Sequence, residues 1–193
     1  MRRYSPGTRN STGDPRVTPT VSVVISNFNR TNLLPIALQS ILRQTVEDFE
    51  VIVVDIGSTD GTSAVLDEID DPRLIRFRND VSLGLTGGRN CAIDRARGHW
   101  ISLLDDDDVW APSTLEAQVA ALRRSGRTWA FSGVVYIGSD GTLLAGVPPL
   151  GADRTMKEVP RRYSVPGGAS NVMWQREVLE GGRAPRSTAR LHH

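Results

Sequence analysis

Short apolar runs and longer amphipathic stretches alternate along the first two thirds of the chain. Residues 21–26 (Val-Ser-Val-Val-Ile-Ser), 49–54 (Phe-Glu-Val-Ile-Val-Val), 74–78 (Leu-Ile-Arg-Phe-Arg) and 100–104 (Trp-Ile-Ser-Leu-Leu) are apolar runs bounded by turn chemistry. That is the pattern of buried strands. Between the first two, Leu34, Leu38, Ile41 and Leu42 recur at helical spacing, with Pro35 in the first turn and Thr31 or Asn32 as cap. Residues 62–69 read as a short helix stopped near Asp71-Pro72. Residues 84–88 (Gly-Leu-Thr-Gly-Gly) read as a flexible loop running into a helix at about 89–97, with Gly98 as its left-handed cap. Pro112 starts a further helix with Leu115, Val119 and Leu122 on one face, and Gly126 ends it. The order β-α-β-α-β-α-β-α predicts an α/β fold: a Rossmann-like, doubly wound, mostly parallel sheet with helices on both faces.

The register then changes. Residues 130–137 read as one strand, Ser139-Asp140-Gly141 as a hairpin turn and residues 142–147 as the partner strand. Residues 148–166 are loop-rich, 171–174 predict a short strand, and 175–179 begin a helix. Residues 1–19 are rich in Ser, Thr, Gly, Pro and Arg and read as a flexible tail. Residues 181–193 carry Arg183, Arg186 and Arg190 without periodicity and read as an irregular tail. One domain over 20–180 is expected, with halves at 20–125 and 126–180.

Composition narrows the picture. The 193 residues suffice for one substantial core. The balance of 23 basic and 22 acidic residues, net +1, excludes nucleic-acid binding driven by global charge. No apolar stretch approaches the ~20 residues of a membrane span. Cys91 is the only cysteine, so no intrachain disulfide forms, and a reducing compartment fits. The expectation is a cytoplasmic protein. Contact of the Arg-containing tail with the inner face of the membrane is the secondary option.

Four adjacent carboxylates, Asp105 to Asp108, end the fourth apolar run. Their mutual repulsion calls for a cation or solvent, and Mg²⁺ characteristically uses one or two carboxylates plus substrate phosphates. In an extended segment Asp105 and Asp107 share a face. The alternative is a solvated acidic turn before the next helix, although a cap needs only one Asp. Asp55, ending the second run, reads either as a turn former or as a ligand at a topological switch point. Arg89 reads as a surface residue or an anion contact, and Phe28 as packing or as a stacking ring. Trp110 reads as packing beneath the acidic loop. His99, His192 and His193 lack metal-ligand spacing.

Three blocks in order resemble the family 2 glycosyltransferases of the GT-A fold. They are Val21 to Arg30 with the helix through Gln44-Thr45, Phe49 to Thr62, and Gly84 through Arg89-Asn90 and Ala96-Arg97-Gly98 to Asp108. Gly167 to Met173 with Arg176-Glu177 is similar to the family's later segment. The resemblance implies a GT-A domain followed by an incomplete acceptor-side β segment. It also implies inverting transfer of a sugar from a nucleotide-diphosphate sugar to an acceptor hydroxyl, with Mg²⁺ or Mn²⁺. Carried over by position, it implies donor contacts from Ser26, Asn27, Phe28, Arg30, Asp55, Arg89, Asp105 and Asp106, and a metal ligand in Asp107. The acceptor is a glycan, a lipid-linked saccharide or a small molecule.

Two departures stand out. Ile56 follows Asp55 where relatives often have a second aspartate, and Arg183 to Arg190 stands where the family has an acidic catalytic-base motif. The latter predicts a chain truncated before its base, impaired in catalysis and marginally stable or oligomeric. A non-catalytic GT-A module that holds nucleotide or a partner is the second hypothesis. A sugar nucleotidyltransferase fits less well, because Asn27-Phe28-Asn29-Arg30 is not a Gly-rich Arg/Lys loop. A Rossmann dehydrogenase fits least, because no G-x-G-x-x-G follows the first strand.

Overall fold

The computed structural model describes residues 18–79, 84–149, 151 and 168–181. Most of the expected N-terminal tail, most of the 148–166 loop and nearly all of the 181–193 tail lie outside the described residues. Strands β1 (Val21–Asn27), β2 (Phe49–Asp55), β3 (Leu74–Arg78) and β4 (Trp100–Leu103) are parallel neighbours in the order β3-β2-β1-β4. Helices α1 (Leu34–Leu42), α2 (Thr62–Asp67), α3 (Gly84–Ile93) and α4 (Thr114–Ser125) are interleaved with them or follow. The sheet continues through β8 (Val172–Gln175), antiparallel to β4, and ends at β5 (Trp129–Phe131). Both halves of the chain therefore share one sheet. Strands β6 (Val134–Ile137) and β7 (Leu143–Val147) form a separate hairpin, and α5 (Arg176–Gly181) follows β8.

Helices cover both faces, as the apolar runs require. On one face Leu34, Leu38 and Ile41 of α1 and Leu115, Val119 and Leu122 of α4 pack with Val21, Val23 and Ile25. On the other, Ala92 of α3 and Ala96 pack with Val24, Ile52, Val54 and Ile101. Fully burying each large aliphatic side chain contributes about 1.5–3 kcal/mol. Among the described residues no helix is long and apolar enough to cross a membrane.

Four local expectations change. First, α3 starts at Gly84, so the Gly-rich stretch is helix rather than loop. Close packing explains it: a Cβ on Gly88 would lie 3.2 Å from Ile56 Cγ2 and 3.3 Å from Ser26 Oγ. Second, Gly98 is not a left-handed cap. A Cβ there would lie 2.4 Å from the Ser22 nitrogen and 2.7 Å from the Val21 carbonyl carbon, so this glycine lets the chain cross β1. Third, neither Thr31 nor Asn32 caps α1; Leu33 holds that position without a side-chain cap. Thr31 turns to Asp60, donating its N–H to a carboxylate oxygen at 2.9 Å. Fourth, the strand expected over 130–137 breaks between β5 and β6 at Ser132-Gly133. There a Cβ on Gly133 would lie 2.7 Å from the Val147 carbonyl oxygen. The Gly126 cap (φ 63°) and the hairpin turn at Gly141 (φ 82°) form as expected.

Candidate active site

The sheet order reverses between β1 and β4: from β1 the chain moves outward to β2 and β3, then returns to β4 on the other side. The crevice beyond the carboxyl ends of these strands is where open α/β sheets bind ligands. Parallel register puts Asn27 opposite Asp55, and Asp55 opposite Arg78, at that rim.

The loop beyond β4 comes back over β1. Asn27 Nδ2 donates to Asp106 Oδ2 at 2.8 Å, and the Phe28 N–H reaches the same oxygen at 3.4 Å. Arg89 of α3 forms an ion pair with Asp105. Arg30 faces Asp107 at 3.7 Å, with the Asp107 side chain 46% exposed. The acidic loop is thus held by groups from β1, the loop after β1 and α3. Asp106 meets Asn27 and Phe28, Asp107 meets Arg30, and Asp105 meets Arg89. Burial pushes the Asp106 carboxyl above the usual carboxylate range, against the pull of the Phe28 N–H. Burial also raises Asp108, with the Ser170 hydroxyl opposing it. Phe28 is 48% exposed, so its ring is open to a partner.

Asp55 sits deeper, at 1% exposure. Its Oδ1 accepts the Ser58 N–H at 2.8 Å, and its Oδ2 accepts from Arg78 Nη1 at 2.5 Å and the Ser63 hydroxyl at 3.3 Å. Both oxygens are occupied by protein donors. Ser26 is buried beneath α3, and its hydroxyl has no hydrogen-bond partner among the described residues. Its hydroxyl is thus separate from the cluster around Asp106.

The sequence reading missed three participants. Arg78 ends β3 in register with Asp55 and also donates to the Ser58 carbonyl at 2.7 Å. Its position at a strand end, like that of Asp55, was the available signal. Asn29 takes a left-handed conformation (φ 54°), which Asn tolerates. It accepts the Thr59 N–H at 2.8 Å, joining the loops beyond β1 and β2. Ser170 binds the acidic loop from the antiparallel side, accepting the Asp105 N–H at 3.0 Å. Trp110 is buried, as expected, and its indole N–H bonds the Ser170 carbonyl at 2.5 Å.

A cavity of about 340 Å³ lies beside this rim, lined by Asn29 to Leu33 and Asp60. Among the described residues no three His, Cys, Asp or Glu side chains converge on a metal position. A cation here would need oxygens from a ligand, and the donor chemistry fits that. Asp107 is half exposed, its ion pair with Arg30 is longer than a hydrogen bond, and carboxylate oxygens are the ligands hard divalent cations take.

The family model described as "Glycosyl transferase family 2" matches residues 22–178. The chain is 35% identical over 99 residues to the UDP-Glc:alpha-D-GlcNAc-diphosphoundecaprenol beta-1,3-glucosyltransferase WfaP of Escherichia coli, covering 51% of this chain and 39% of that protein. Among solved structures, S. aureus TarS 1-349 in complex with UDP superposes with a TM-score of 0.68 at 21% identity, covering 84% of this chain and 48% of that one. The mannosyltransferase PcManGT from Pyrobaculum calidifontis, in complex with GDP-Man and Mn2+, gives 0.64 at 22% identity, covering 93% and 51%. The match thus spans about half the length of these proteins or less.

Proposed function

This chain belongs to glycosyl transferase family 2, and we propose that it moves a sugar from a nucleotide-diphosphate donor to an acceptor hydroxyl with inversion. One observation carries the reading: the Asp105–Asp108 loop folds over the end of β1 at the switch point, bonded by Asn27 and Phe28 and ion-paired to Arg30 and Arg89. An anionic ligand entering there meets two guanidinium groups already drawn to the rim. Phe28 offers its ring to the base, with Ser26 and Asn27 at the end of the same strand. Asp55 takes a base or ribose edge once Arg78 turns aside. Arg30 and Arg89 take the diphosphate, exchanging carboxylate for phosphate partners. Asp105 and Asp106 face the ribose or donor sugar.

Asp107 holds Mg²⁺ or Mn²⁺ together with the diphosphate; when bound, the ion stabilises the charge that develops on the leaving oxygens. The acceptor hydroxyl attacks the anomeric carbon from the opposite side, the bond to the diphosphate breaks, and a general base takes the proton. The relative WfaP, named for a UDP-Glc donor and a diphosphoundecaprenol-linked acceptor, supports a uridine nucleotide and a lipid-carried saccharide. That acceptor would bring the protein to the membrane surface.

The test is transfer of label from radioactive UDP-glucose to a diphosphoundecaprenol-linked GlcNAc acceptor, with Mn²⁺ or with chelator. Metal-dependent transfer with release of UDP is the expected result, slowed by about 10²–10⁴-fold if no carboxylate of this chain serves as the general base. Binding of UDP without transfer from any nucleotide sugar would instead make this a non-catalytic GT-A module.

A further inference from the structure

Beyond Leu104 the parallel ladder stops supporting the acidic loop. The Leu104 N–H still bonds the Val24 carbonyl at 3.0 Å, but the aspartates extend past the end of β4. Among the described residues, Ser170 is what holds the loop from the antiparallel side. Ser170 is 5% exposed. Its Oγ accepts the Asp105 N–H at 3.0 Å, and its carbonyl accepts the Trp110 indole N–H at 2.5 Å. These bonds grip the loop at its first residue and just after its last.

Ser170 is itself firmly mounted. It lies in the short 3-10 turn Gly168–Asn171 before β8. Next to it, the Asn171 carbonyl accepts from Gln118 Nε2 of α4 at 2.7 Å and from the Ser132 N–H at 3.1 Å. Asn171 Nδ2 donates to the Ser132 carbonyl at 2.7 Å, and the Ser102 hydroxyl of β4 bonds the Val172 carbonyl at 3.0 Å. The turn is thereby tied to β4, α4 and the end of β5. A displacement of about 1 Å in a positioned group is enough to cost large factors in rate or affinity, so the mounting of this loop matters.

Resting on the donor-site reading above, we infer that Ser170 is a positioning residue: it aims the Asp105 and Asp107 carboxylates for joint binding of divalent metal and nucleoside diphosphate. It touches neither ligand. Its hydroxyl supplies the acceptor for the Asp105 N–H where the sheet no longer does, and its carbonyl fixes the far end of the loop through Trp110.

Calorimetric titration of UDP into the protein, in Mn²⁺ and in chelator, tests this. In the wild type Mn²⁺ should tighten binding. Ser170→Ala should keep the affinity measured in chelator and lose about tenfold of the Mn²⁺-dependent gain, the scale of one buried hydrogen bond. Ser170→Thr, which keeps the hydroxyl, should restore it. Trp110→Phe removes the indole N–H bond to the Ser170 carbonyl together with part of a buried ring and should weaken binding in the same Mn²⁺-specific way, which covers the case of a Ser170→Ala chain that does not fold. A Ser170→Ala chain with the full Mn²⁺ gain, or one equally weakened in chelator, overturns the role. A wild type that binds UDP without regard to Mn²⁺ overturns it too. A wild type that binds no UDP under either condition overturns the donor-site reading, and this role with it.

Discussion

Asp107 and Asp55 illustrate two ways an aspartate at a strand end can be used. Asp107 is half exposed and loosely paired to Arg30, so its replacement should leave the fold alone. Asp107→Asn is expected to abolish the metal-dependent part of nucleotide binding while the melting temperature without ligand stays within about 2 °C, as for most exposed substitutions. Calorimetry in Mn²⁺ and in chelator measures the first, and a thermal melt the second. Asp55 is buried and bonded to Ser58, Ser63 and Arg78. Asp55→Ala is expected to weaken UDP binding by about 1–3 kcal/mol and to lower folding stability by a similar amount, since it strands the donors it now satisfies. Unchanged UDP affinity with lowered stability would make Asp55 purely structural.

Asp71 makes a prediction of a different kind, far from any ligand. Hydrogen bonding from Arg73 holds its carboxyl below the ordinary value of 3.8, and Arg73 is also braced against Phe49 and the Leu42 carbonyl. A carboxyl with a depressed folded-state pKa contributes stability that is fully present above the unfolded value and is lost as pH falls through the folded one. Asp71→Asn should therefore cost about 1 kcal/mol in urea denaturation near neutral pH. The gap to wild type should begin to close as the pH falls below 3.8 and be lost as it passes through the depressed folded-state value.

At the scale of elements, the glycines decide what packs. Gly98→Ala forces a Cβ into the backbone of β1 and disturbs the Gly98 N–H bond to the Ser22 hydroxyl, now 2.8 Å. It should destabilise by about 3 kcal/mol. Gly146→Ala meets nothing within 4 Å and should change stability by no more than about 0.5 kcal/mol. Chemical denaturation of the two variants reads both. The contrast also shows where sequence pattern stops informing. Strands β1, β2 and β4 were legible because burial on both faces leaves mostly apolar runs, and the stripes of α1 and α4 because one face of each is buried. The start of α3 was not legible: Gly84, Gly87 and Gly88 have poor helix propensity, and the need for a glycine at 88 comes from Ser26 and Ile56 across the fold. Gly98 looks like a cap from its neighbours along the chain, while its constraint comes from Ser22 across the fold. Thr31 follows the same logic, because the carboxylate that claims it, Asp60, belongs to another loop.

For the molecule as a whole, the order β3-β2-β1-β4 brings the ends of the first and fourth strands together. Asp105 to Asp107, Asn27, Phe28 and Arg30 were legible as candidates because they lie at or shortly beyond the end of an apolar run. Arg78 and Ser170 were not, since their partners are set by parallel register and by an antiparallel return that pattern alone does not specify. Nucleoside diphosphate and a divalent cation are proposed to meet at this junction. Paramagnetic broadening of the amide NMR spectrum by a trace of Mn²⁺ in saturating UDP tests it most directly. Selective loss of the Asn27–Arg30 and Asp105–Asp108 amide signals, dependent on UDP, is expected. The amides of Glu50, Gly98 and His99, beside the opposite ends of the strands, should keep their intensity. Broadening centred elsewhere, or broadening of the Asp105–Asp108 amides that is indifferent to UDP, would contradict it.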